Sequence, residues 1–105
     1  IVGYECDGCE IEWRDGLPFP THRDGTPKGF TILATAPAKW APGDSWWYEA
    51  WPGPDHKGNA VLGVYTNDKG ATVVTAGTTD WAHGLKGGDA AVEKITRNVL
   101  ERLGK

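Results

Sequence analysis

Four groups of residues in this chain have types and spacings that could do chemistry. The first is Cys6-x-x-Cys9, half of a zinc-ribbon site by spacing. Four ligands are needed for a closed tetrahedral zinc site, so His22 and His56 would have to converge on the pair over long range. A redox C-x-x-C needs its first cysteine at a helix start following a strand, where the thiol pKa falls; here the neighbours are Gly and acids. Plain thiols or a local disulfide are the other readings, and two cysteines are too few to set a disulfide framework.

The second group is Glu5, at the end of an apolar run over residues 1–5 and just before the turn formers Asp7 and Gly8. Ligands and catalytic groups collect at strand C-terminal edges in open α/β sheets. A solvated strand-end acid is the plain alternative. The third group is Asp80-Trp81-x-His83, reached from a strand by way of Gly77. With Thr78 and Thr79 it forms a polar cluster able to transfer protons, and ordinary turn chemistry explains the same residues. The fourth is the aromatic run Trp46-Trp47-Tyr48-x-x-Trp51. Flat rings of this kind stack on pyranose faces, and they equally cover the apolar rim of a loop-rich layer. No Gly-x-Ser-x-Gly elbow, phosphate-binding glycine loop or His-Glu-x-x-His is present. A complete catalytic set is not visible.

The elements that would position these groups are few and short. Residues 30–35 read as a strand stopped by Pro37, and residues 59–66 and 71–76 as two strands joined by a four-residue connection. Both arms are apolar at nearly every position, which predicts a central pair with both faces covered. Residues 10–29 read as a long ordered loop broken by Gly16, Pro18, Pro20, Gly25 and Pro27, with Ile11 and Trp13 in one short alternating strand. Residues 77–88 read as a small-residue turn and linker. Residues 89–103 read as an amphipathic helix capped by Asp89, with Val92, Ile95, Val99 and Leu103 on its apolar stripe and Gly104 as a left-handed stop. The fold class is therefore α/β or α+β: a short-stranded sheet with a central hairpin and a C-terminal helix packed on it.

Composition narrows the partners. The net charge of −3 carries both signs mixed along the chain, with no basic run, which argues against nucleic acid. No apolar stretch approaches the roughly 20 residues of a membrane span. Fifteen Gly and seven Pro in 105 residues mark a single loop-rich domain. The chain begins at Ile1 and contains no Met, so a processed or excised N-terminus is expected and the lack of a signal peptide carries no weight. The compartment is open, with the cytoplasm slightly favoured.

Val2-Gly3-Tyr4-Glu5-x-Asp7, Thr31-Ile32-Leu33-Ala34, Ala76-Gly77-Thr78, Trp81-x-x-Gly84-Leu85 and Ile95-Thr96-Arg97-Asn98-Val99-Leu100 follow one another in the order of a known group. In them the chain resembles the C-terminal segment of the N,N-dimethylformamidase large-subunit family, bacterial proteins with a glutamine-amidotransferase-like α/β layer. The resemblance implies hydrolysis of a small amide at an iron centre whose ligands lie upstream, with no cofactor on this chain. It implies that Glu5 lies in the active-site pocket; Trp81 and His83 are the candidate substrate-binding residues of this chain. The family tends to carry a second aromatic residue where His83 stands. On this reading the chain is the terminal segment of a larger domain, inactive alone, and its partner is the rest of the parent or another subunit. The rival reading is a carbohydrate-binding or other interaction module using Trp46, Trp47 and Trp51.

Overall fold

A computed structural model describes residues 6–39 and 57–105. The expected strand over residues 1–5 with Glu5, the aromatic run with Trp46, Trp47 and Trp51, and His56 lie outside the described residues.

Two small antiparallel sheets and two helices make up the described fold, which is mixed α and β as the sequence indicates. Strands β1 (Ile11–Arg14) and β2 (Leu17–Pro20) form a hairpin where the sequence reads as loop. Asp15 and Gly16 both take positive φ, 50° and 77°, the two-residue turn whose twist matches that of paired strands. Arg14 and Leu17 close this turn, so hydrogen-bonded pairs alternate outward from them. The Thr21 N–H donates to the Glu10 carbonyl at 2.9 Å in that phase. Pro18 and Pro20, opposite Trp13 and Ile11, therefore occupy positions where the ladder needs no N–H. Proline density hid a hairpin that the prolines do not disturb.

The second sheet has the order β3-β4-β5, with β3 (Thr31–Lys39), β4 (Lys57–Thr66) and β5 (Thr72–Thr75). Pro37 does not stop β3, which pairs opposite Asn59 there; β3 has only β4 beside it among the described residues, and an edge strand tolerates a missing donor. Leu33 is the extra residue of a bulge between Ile32 and Ala34 and stands 58% exposed. Among the described residues β4 lies between β3 and β5, with residues 60–63 buried in succession, while β5 pairs with β4 alone and Val73 is exposed. In the connection, Asn67 accepts from the Lys69 and Ala71 N–H groups through its side chain, and Gly70 sits at φ 84°.

Residues expected as a turn instead form helix α1 (Trp81–Lys86), followed by α2 (Ala90–Leu103). Asp89 caps α2 by accepting from the N–H groups of Ala91 and Val92, both at 3.0 Å. Gly104 is not left-handed, at φ −87°; its N–H continues the helical ladder to the Leu100 carbonyl. Val92 is buried, Ile95 and Val99 are half-buried, and Leu103 is exposed, so the stripe covers the sheet tightly only at its start. No described helix is long and apolar enough to cross a membrane.

Candidate functional site

Asp7, Gly8 and Cys9 of the Cys6-Asp7-Gly8-Cys9 segment line a hollow. This segment contains no turn or bend, contrary to the turn expected at Asp7 and Gly8. It is tied to the second sheet by two hydrogen bonds: the Asp7 N–H donates to the Gly77 carbonyl at 3.2 Å, and the Val61 N–H donates to the Asp7 carbonyl at 3.0 Å. Close approach explains the glycines. A Cβ on Gly8 would overlap the Asn59 carbonyl oxygen, and one on Gly77, at φ 65°, would overlap that of Val61.

Between this segment and the sheet lies a cleft of about 220 Å³, lined by Asp7, Cys9, Thr26, Phe30 and Thr75 among others. Its outer wall is the loop after β2, held by a polar network. The Glu10 carboxylate accepts from Thr21 Oγ1 at 2.8 Å and from Arg23 Nε at 3.1 and 3.2 Å, with Arg23 Nη2 also bonded. Asp24 accepts from the Glu10 N–H and from both the N–H and the hydroxyl of Thr26. The Thr26 hydroxyl and these N–H groups hold the Asp24 carboxyl well down, at about 2. Arg23, then Thr21, lowers that of Glu10. His22, at φ 61°, is fixed by a bond between Nδ1 and the Thr26 carbonyl at 3.0 Å; a carbonyl only accepts, so Nδ1 carries the proton.

Cys9 is half-buried in this cleft. Burial, and then the negative charge of Asp24, push its thiol pKa up. A raised pKa keeps the sulfur protonated near neutrality, which is the opposite of an activated nucleophile. Both cysteines are free. Among the described residues no three of His, Cys, Asp and Glu converge where a metal ion could sit, so His22 does not complete a set with the cysteines.

The Asp80-Trp81-x-His83 group is divided by α1. His83 Nδ1 bonds Asp80 Oδ1 and the imidazole stands 79% exposed, so Asp80 is used on His83 rather than as a helix cap. Trp81 turns inward. Its indole N–H donates to Thr96 Oγ1 at 2.9 Å, and its ring lines an apolar groove of about 170 Å³ with Leu62, Val74, Ile95 and Val99. His83 lines neither hollow. The network of Glu10, Arg23, Asp24 and Thr26 was not anticipated from sequence; Asp24-Gly25-Thr26, an Asx-turn pattern, was its available signal.

No family model, curated protein or solved structure matches this chain.

Proposed function

We propose that this chain is the C-terminal part of an amidase-like protein, a small-amide hydrolase, and that it is inactive without the rest of its parent. The observation that carries the reading is the imbalance of its apolar surface. Among the described residues the buried apolar side chains are Ala60, Val61, Leu62 and Val92, while Leu33, Trp13, Leu17 and Leu100 are each more than half exposed. A sheet and helix covered this thinly are suited to packing against more protein. Iron enters only through the resemblance. Among the described residues no ligand set gathers for it.

Within this reading Glu5 orients water or moves a proton in the completed pocket, a role that contributes about 10²–10⁴-fold to rate. The test is amine release from a panel of small amides by the full-length protein, by its Glu5→Gln variant and by this chain alone. Turnover by the full-length protein, loss of most of it in the variant with fold and metal content unchanged, and none from the chain are expected. A full-length protein that hydrolyses no small amide overturns the reading, and full activity in the variant removes Glu5 from it.

A further inference from the structure

Three Asp-Gly dipeptides stand in this chain, at Asp7-Gly8, Asp15-Gly16 and Asp24-Gly25. Such a pair carries a reaction of its own, because glycine has no Cβ to hinder attack by its nitrogen on the aspartate side chain. The glycine nitrogen bonds to the carboxyl carbon, and its proton leaves with the carboxyl hydroxyl as water. The cyclic imide that results, a succinimide, is reopened by water. Attack at the side-chain carbonyl restores aspartate. Attack at the main-chain carbonyl breaks the original peptide bond and leaves an isoaspartyl linkage, in which the chain runs through the side chain and the α-carboxylate is free. Water is lost and regained, so the change is an isomerisation that needs no other reactant.

The fold treats the three pairs differently. At Asp7 the backbone is held on both sides: its N–H donates to the Gly77 carbonyl, and its carbonyl accepts from the Val61 N–H. Ring closure requires the peptide after Asp7 to turn its nitrogen toward the side chain, and Gly8 lies too close to the Asn59 carbonyl to admit even a Cβ. At Asp24 the side chain is held instead. Its carboxylate accepts from the Glu10 N–H and from the N–H and hydroxyl of Thr26. Ring closure expels the hydroxyl of the neutral acid, and these bonds keep the carboxyl ionised, with its pKa lowered to about 2.

Asp15-Gly16 has neither restraint. Both residues are exposed, and the Asp15 side chain has no hydrogen bond or ion pair among the described residues. The strand ladder ends at the Arg14–Leu17 pair, so the Gly16 N–H lies outside it, and the space around Gly16 is open. We propose that Asp15 is a modification site, converting to isoaspartate through a succinimide with Gly16 while the fold protects Asp7 and Asp24. The product acts on the hairpin. An isoaspartyl linkage adds a methylene to the main chain between Arg14 and Leu17, so the two-residue turn that sets Pro18 and Pro20 in register is lost. The site rests on the described hairpin and does not require the amidase reading.

The experiment ages the 105-residue chain at neutral pH, folded and in urea that unfolds it. Trypsin separates the three pairs onto peptides 1–14, 15–23 and 24–28, and electron-transfer fragmentation distinguishes isoaspartate from aspartate in each. In the folded chain isoaspartate should accumulate in peptide 15–23 faster than in 1–14. It should outpace 24–28 by at least about tenfold, because each pKa unit of depression removes about tenfold of the neutral acid. In urea the three rates should converge. Asp15→Glu, whose longer side chain closes a larger ring more slowly, should remove most of the methyl groups that an isoaspartyl carboxyl methyltransferase transfers from S-adenosylmethionine to the aged chain. Equal rates in the folded chain, a ranking unchanged in urea, or undiminished methyl acceptance by the Asp15→Glu variant would each overturn the proposal. The comparison with urea uses the parent chain alone, so it stands even where the variant fails to fold.

Discussion

The indole N–H of Trp81 donates to the hydroxyl of Thr96 at 2.9 Å, and that hydroxyl donates in turn to the Val92 carbonyl at 2.7 Å. This two-bond relay joins α1 to the middle of α2. Thr96→Val keeps the volume and leaves the half-buried indole N–H without its partner, so it should cost about 1–2 kcal/mol in urea unfolding. Thr96→Ser restores the hydroxyl and should recover most of the loss. Equal destabilisation by both variants would mean that the hydroxyl is not what matters.

Burial along α2 predicts a graded series. Val92→Ala removes a buried side chain and should cost about 2 kcal/mol. Ile95→Ala and Val99→Ala, which border an open groove, should cost less, about 1–2 kcal/mol. Arg97→Ala on the exposed face should stay within about 0.5 kcal/mol. Chemical denaturation of the four variants orders them, and a flat series would show that the helix does not sit on the sheet by this stripe.

Two glycines beside β4 are predicted to be intolerant. Gly8→Ala and Gly77→Ala both drive a methyl group into a backbone carbonyl that cannot move without breaking the sheet. Each should cost more than about 4 kcal/mol or prevent folding. Gly25 also has positive φ, 89°, yet open space around it, so Gly25→Ala should cost only about 1–2 kcal/mol. Circular dichroism melts separate the two classes.

Acid should loosen the loop after β2. The folded-state pKa of Asp24, about 2, lies below its ordinary value of 3.8, so its contribution is present above that ordinary value. It is lost as pH falls from about 4 toward 2, when the carboxyl protonates and can no longer accept from Thr26 and the Glu10 N–H as an anion. Glu10, lowered by Arg23, acts in the same direction. Unfolding measured across this window should show a slope that flattens in Asp24→Asn; an unchanged slope would place the acid sensitivity elsewhere.

Cys6 and Cys9 are expected not to bridge. Both are free, and the backbone between them is held to β4 and to Gly77 through Asp7. Oxidised glutathione should therefore give mixed glutathione adducts by mass spectrometry rather than the loss of two hydrogens. Asp24→Asn removes a negative charge that raises the Cys9 pKa, so alkylation of Cys9 at neutral pH should speed up.

Local chemistry alone determined the mixed fold class, the apolar strands around β4, and α2 with its Asp89 cap, because each follows from spacing within one segment. It did not determine which strand is central. Apolar content is similar on both arms of the hairpin of β4 and β5, and the pairing of β3 with β4 is what places β4 between two strands among the described residues. Prolines concealed β1 and β2 because their harm depends on hydrogen-bonding phase, which the Asp15-Gly16 turn sets between strands. Trp81 and His83 are neighbours in sequence that α1 turns to different surroundings, one inward to Thr96 and one outward beside Asp80. Asp7, Thr26, Phe30 and Thr75 line one cleft because the backbone of Asp7 is bonded to Val61 and Gly77. Such contacts are between distant parts of the chain, and only the tertiary structure decides them.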